Sequence, residues 1–148
     1  MNVQVAPSVK PSLTLKRRIK APPAKVYAAW TDPSNMGGWM GPEGTVGVSV
    51  EADLRVGGRY HFQFRMADGQ EHNVSGVYRE VAPGEKLVFT WAWRSTPERE
   101  SLVTLTFKPD GDGCMFTLLH EQFFDEAARD GHHGGWSEAL DKLVQYFA

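Results

Sequence analysis

Trp136-Ser137-Glu138-Ala139-Leu140-Asp141-Lys142-Leu143-Val144-Gln145-Tyr146-Phe147 is the stretch whose reading decides the fold. Trp136, Leu140, Leu143, Val144 and Phe147 fall at i, i+4, i+7, i+8 and i+11, which is one face of an α-helix. Ser137, Glu138, Asp141, Lys142 and Gln145 fill the other face, and Glu138 with Lys142 makes an i, i+4 pair in the favourable orientation. Upstream, Glu126 to Arg129 reads as an earlier turn of helix. Gly131, Gly134 and Gly135 weaken whatever lies between, at about 1 kcal/mol each relative to Ala if helical.

Working back from this helix, the period changes from 3.6 to 2. Cys114 to Phe123 reads as a strand with Phe116, Leu118 and His120 in one phase, and Leu102 to Lys108 as another with Val103, Leu105 and Phe107. Lys86 to Arg94 alternates with Leu87, Phe89, Trp91 and Trp93 on one face. Glu71 to Val81 is the return strand of a hairpin whose turn is Ala67-Asp68-Gly69. Its partner, Arg59 to Met66, puts Tyr60, Phe62, Phe64 and Met66 on one side. Thr45 to Val50 is rich in β-branched residues. Consecutive strands joined by short turns predict an antiparallel meander. At the start, Leu13 to Lys20 alternates as a first strand, and Pro22-Pro23 ends it and opens a short helix over Ala24 to Trp30. Asp32-Pro33 stops that helix, and Ser34 to Met40 makes another turn before Gly41-Pro42. Residues 1–12 carry two prolines and no periodicity and read as a flexible arm ahead of a single domain at 13–148.

Composition narrows the function classes. A hydrophobic fraction of 41% and a charged fraction of 23% are ordinary for a globular chain, so wholesale disorder is not expected. A net charge of −2 argues against a dedicated nucleic-acid binder. One cysteine, Cys114, excludes an intramolecular disulfide framework and a multi-cysteine zinc site. No apolar run suits a membrane span, and Arg17-Arg18 leads into Ile19-Lys20-Ala21-Pro22-Pro23 rather than an apolar signal segment, so a cytoplasmic protein is the default expectation. The five tryptophans and eight phenylalanines demand a use. A curved antiparallel sheet needs its apolar face covered, and the C-terminal helix is the one element long enough to do it. Aromatic rows stand a helix off a sheet, and the space between is either filled core or an open, mostly apolar cavity of the kind that takes ligands.

These pieces in order resemble the START-like, or SRPBCC, helix-grip superfamily, and within it the family named after the activator of the heat-shock-protein-90 ATPase. The matching segments run from Leu13 nearly to the end. They are Pro23-Ala24-Lys25-Val26-Tyr27-Ala28-Ala29-Trp30-Thr31-Asp32-Pro33, then Trp39 with Gly41-Pro42, then Asp53-Leu54-Arg55-Val56-Gly57-Gly58-Arg59-Tyr60 and Asp68-Gly69. Gly76-Val77-Tyr78, Pro83-Gly84-Glu85-Lys86-Leu87-Val88-Phe89-Thr90-Trp91, His132 and Gly135-Trp136 complete the set. The resemblance implies an α+β helix-grip fold: a curved antiparallel sheet of six or seven strands wrapped on a long C-terminal helix, with two short helices after the first strand. It also implies a cavity between sheet and helix. Superfamily members bind lipids, hormones or polyketides, and some catalyse cyclisation or hydration. The family's namesake holds its chaperone with a second domain as well as this one, so the resemblance alone does not imply a co-chaperone role. A surface contact with a chaperone or another protein stays open, as does a homodimer.

The candidate lining of the cavity is Trp39, Phe62, Phe64, Tyr78, Phe89, Trp91, His120, Trp136 and Leu140, with Tyr78 and His120 orienting polar atoms of a small apolar or aromatic molecule. Trp39, between Gly37-Gly38 and Gly41-Pro42, is a candidate gate. His120 shares the phase of Phe116 and Leu118, so its imidazole points inward and could bond a ligand or serve as general acid or base. The plainer alternative is a histidine satisfied structurally at the end of its strand. His132-His133 is a poor metal pair, because neighbours on a helix point about 100° apart. Asp110-Gly111-Asp112-Gly113-Cys114 reads as a hairpin turn, not a calcium loop. Gly57-Gly58 lacks the lysine and spacing of a phosphate loop, and no cofactor or metal is expected. Cys114 reads as a structural thiol. Three functions follow: a binding protein for a small apolar or aromatic molecule, a cyclase- or hydratase-like enzyme using His120 or Tyr78, or a protein-interaction module.

Overall fold

In the computed structural model, which describes residues 10–148, the chain forms seven strands and three helices in the order β1 (Leu13–Ile19), α1 (Pro23–Thr31), α2 (Pro33–Met36), β2 (Thr45–Ala52), β3 (Arg59–Met66), β4 (Glu71–Ala82), β5 (Lys86–Trp93), β6 (Ser101–Asp110), β7 (Gly113–Glu121) and α3 (Glu126–Tyr146). The strands make one sheet in the order β1-β7-β6-β5-β4-β3-β2. Every pairing is antiparallel. The meander accounts for β2 to β7, and β1 returns to the free edge of β7 with Leu13 opposite His120 and Ile19 opposite Cys114. The sheet curls as a half-barrel on α3, the helix-grip α+β fold. The expected N-terminal arm lies, for residues 1–9, outside the described residues; next to it, the Pro11 carbonyl accepts from the Phe123 N–H at 3.2 Å.

The alternation in the sequence is the alternation of burial. In β3, Tyr60, Phe62 and Phe64 are buried and their neighbours are not. In β6 and β7, Val103, Leu105, Phe107, Phe116, Leu118 and His120 point the same way into the core. The Asp68-Gly69 and Asp110–Gly113 turns are hairpins as expected; Gly69 sits at φ +89°. At the second turn Arg18 reaches across from β1 to Asp110 at 2.9 Å and Asp112 at 3.3 Å, so those carboxylates serve an ion pair. Gly76 answers to sterics of another kind. A side chain there would meet the Thr90 carbonyl of β5, the same carbonyl that accepts the Tyr60 hydroxyl bond.

One expectation about the helices is corrected. The second short helix stops at Met36 rather than running to Met40. Trp39 then turns inward, is only 1% exposed, and packs edge-on against Trp30 at 4.7 Å between ring centroids. It is a core residue, not a gate. The expected long C-terminal helix, α3, is continuous over 21 residues, joining the turn at Glu126 to Arg129 to the stretch from Trp136 through all three glycines. Asp125 caps it, its carboxylate accepting from the Ala128 N–H at 2.8 Å. Burial of Trp136, Ala139, Leu140 and Leu143 against the sheet holds the helix together where propensity is poor.

Candidate functional site

The C-terminal half of α3 fills the space over the sheet, and its N-terminal half does not. Ala127, Gly131, Gly135 and Ala139 recur every fourth residue, so they form one stripe on the helix. A Cβ added at Gly131 or Gly135 would meet nothing within 4 Å. Opposite the stripe stand Phe64 of β3, Trp91 and Trp93 of β5, and Trp136 from α3 itself. Met40, Gly41 and Pro42 close one side, and Ala128 and His132 another. The result is a cavity of about 330 Å³. Glu138 secures the wall contributed by the segment after α2: its carboxylate accepts from the Glu43 backbone N–H at 2.7 Å.

Of the nine residues expected to line a cavity, the structure brings Phe64, Trp91 and Trp136 to this one. Phe62, Tyr78 and Phe89 share the same sheet face but lie around a second, narrower gap with no room for a water. Tyr78 is therefore not placed to orient a ligand in the larger cavity. It sits 5.5 Å from Tyr60, ring to ring, and burial pushes its phenol up to about 12. Trp39, His120 and Leu140 are buried in the core and line neither space. Sequence reasoning missed Trp93, His132 and the small-residue stripe. Trp93 was visible in the alternating row with Trp91. The stripe was visible as glycines, read as weak points of a helix rather than as room beside one.

The indole N–H groups explain the two histidines. Trp136 Nε1 donates to His120 Nδ1 at 3.0 Å. That nitrogen must be unprotonated, so His120 carries its proton on Nε2 and donates to Ser101 Oγ at 2.7 Å, while Ser101 donates to the Trp91 carbonyl at 3.1 Å. The relay is closed, and neither nitrogen of His120 is left for a ligand. This is the structural alternative, reached through partners on β6 and α3. His132 has the opposite tautomer. Its Nδ1–H donates to the Ala128 carbonyl at 2.7 Å, and its Nε2 accepts from both Trp93 at 2.8 Å and Trp91 at 3.3 Å. Burial pushes His120 well below the usual imidazole range, and the neighbouring His132 adds to this. Burial also lowers His132, against the opposing bond to Ala128. Both rings are held neutral, as the tautomers require.

The five tryptophans form one contact chain. Trp39 meets Trp30 at 4.7 Å, Trp30 meets Trp136 at 5.8 Å, Trp136 meets Trp91 at 5.0 Å, and Trp91 meets Trp93 at 5.5 Å. The outer three have imidazole partners. The indole N–H groups of Trp30 and Trp39 and the Tyr27 hydroxyl are buried with no protein partner among the described residues. Cys114 is buried, and burial raises its thiol, which fits a packed residue and not a nucleophile. Among the described residues no helix is long and apolar enough to cross a membrane.

Solved structures share this architecture. A crystal structure of a protein from Chromobacterium violaceum is 30% identical with a TM-score of 0.81, covering 92% of this chain and 96% of that one. The AHSA1 protein from Silicibacter pomeroyi is 28% identical with a TM-score of 0.78, covering 91% and 96%. CalU16 from Micromonospora echinospora is 27% identical with a TM-score of 0.69, covering 93% and 76%. A comparison with curated proteins finds no match. The fold is thus that of a known group, and residues 20–148 match a family model in sequence: the chain belongs to the family of Activator of Hsp90 ATPase homolog 1-like proteins.

Proposed function

We propose that this protein binds a small, flat, largely apolar molecule in the cavity between the N-terminal half of α3 and the Phe64–Trp91–Trp93–Trp136 wall. One observation carries the reading. The helix keeps Gly131 and Gly135 where side chains would meet open space, at about 1 kcal/mol each in helix propensity, and the room so left is a cavity of about 330 Å³ rather than packed core. That volume equals about eleven waters of the bulk liquid and lies at the small end of ordinary ligand sites, which suits a molecule of one to three fused or linked rings. Aromatic faces at mutual tilts favour a planar guest.

A catalytic reading is less well supported: His132 is the titratable side chain among the cavity's lining, and, like His120, it has both ring nitrogens engaged. A protein-interaction module is less well supported. Of the large exposed apolar residues, Leu54 and Val56 share the β2–β3 loop, while Val46 lies on β2, Phe124 between β7 and α3, and Tyr146 at the end of α3, and exposed apolar residues in ones and twos are normal. Native mass spectrometry of gently purified protein, before and after addition of 2-acetylnaphthalene, tests the binding reading. A one-to-one adduct that is lost in Gly135→Leu supports it. Wild-type protein that stays bare at millimolar ligand overturns it.

A further inference from the structure

The hydrogen-bond arithmetic of the cavity wall leaves one group over. Three indole N–H donors, from Trp91, Trp93 and Trp136, face two imidazole lone pairs. His120 Nδ1 takes Trp136. His132 Nε2 has a single in-plane lone pair, and it serves two donors. Trp93 holds it at 2.8 Å, and Trp91 reaches only 3.3 Å, past the ordinary N–H distance. Neither histidine can turn to help. The other nitrogen of His132 is committed to the Ala128 carbonyl, and the other nitrogen of His120 to Ser101. Trp91, Trp93, Trp136 and His132 all line the cavity.

The geometry points to a ligand that carries an uncharged acceptor oxygen on its flat apolar body, an aryl ketone or quinone-like carbonyl, which takes over the Trp91 N–H and leaves His132 to Trp93 alone. This rests on the cavity being a ligand site and narrows the class of its guest. A carbonyl resolves the excess donor. A guest that can only donate, such as an ammonium or an N–H heterocycle, would compete for a lone pair that is already shared. A purely hydrocarbon guest gains the aromatic contacts and leaves the long Trp91 bond as it stands.

The test is a matched pair, 2-acetylnaphthalene and 2-isopropenylnaphthalene, which differ by C=O against C=CH2. Both are titrated into the full chain by calorimetry. The ketone is expected to bind about fivefold tighter, the net worth of one neutral hydrogen bond. In Trp91→Phe the ratio falls to about one. Because Trp91 is buried and the variant could fail to fold, the wild-type protein gives a second readout. The indole ¹⁵N–¹H resonance of Trp91 shifts with the ketone and not with the hydrocarbon, while that of Trp136 stays put. Equal affinities with no selective Trp91 shift overturn the carbonyl assignment and leave the cavity reading standing. A ketone preference that survives Trp91→Phe, or that moves Trp93 instead of Trp91, overturns the role of Trp91. Failure of both compounds to bind overturns the two readings together.

Discussion

The glycines of α3 set stability against binding, and a three-variant series measures the exchange. Gly131, Gly134 and Gly135 all lie inside the helix, and a Cβ at any of them meets nothing within 4 Å. No steric term therefore opposes the propensity gain, and each Gly→Ala change should stabilise the fold by about 0.8–1 kcal/mol. For a domain near this size that is about 2–4 °C in melting temperature per substitution. The three are not equivalent at the cavity. Gly131 and Gly135 line it, whereas Gly134 is exposed and does not. Gly134→Ala should raise Tm and leave the affinity for 2-acetylnaphthalene unchanged. Gly131→Ala and Gly135→Ala should raise Tm by the same amount and weaken binding. Gly135→Leu should go further, because forcing a fitted guest against added methylenes costs about 1–3 kcal/mol, a loss of about fivefold or more. Thermal melts and calorimetric titrations on the same preparations read both axes. The reasoning is refuted if Gly134→Ala weakens binding as much as Gly135→Ala, or if the alanines destabilise the helix.

Acid should destabilise the protein through its buried imidazoles. His120 and His132 are held below their unfolded value near 6.5, so the unfolded chain binds more protons as pH falls. Their full contribution is present above about pH 6.5 and is lost as pH drops through the lowered folded values, with a slope of at most about 1.4 kcal/mol per pH unit for each. Urea titrations from pH 7.5 to 5 check this, and a stability that stays flat across that range in the wild-type protein would sink it. His132→Phe keeps a flat ring but removes the acceptor of two indoles; about 2–6 kcal/mol of stability should go with it, at about 1–3 kcal/mol per stranded donor. His133→Ala, one residue away on the exposed side, should stay within about 0.5 kcal/mol. Equal effects of the two in denaturant melts would show that the indole bonds carry no weight.

Which face a residue takes was legible from period alone, and how deep it sits was not. Arg59–Met66 was readable to the residue because alternation and the Asp-Gly turn agree on the same register. The same alternation places Phe62, Phe64, Phe89 and Trp91 on one face without saying that the first and third stand where the gap is closed and the others where it is open. That depends on where α3 carries bulk, and α3 carries bulk at Leu140 and Leu143 and none at Gly131 and Gly135. Local propensity only weakens the helix at its glycines. Tertiary packing decided it. His120 was correctly sent inward by strand phase, but its partners, Ser101 and Trp136, come from other elements, and no spacing rule relates them. His132 beside His133 makes only a poor metal pair in the sequence, and nothing local in it points to the β5 indoles whose N–H groups His132 accepts.

The unbroken run of tryptophans from Trp39 to Trp93 makes the protein optically collective. With successive rings 4.7 to 5.8 Å apart, the five indoles are close enough that excitation absorbed by one is expected to pass to the others. A quencher docked against Trp91 and Trp93 therefore drains light collected as deep as Trp39. A guest that quenched these two would then be read on all five indoles, without a label.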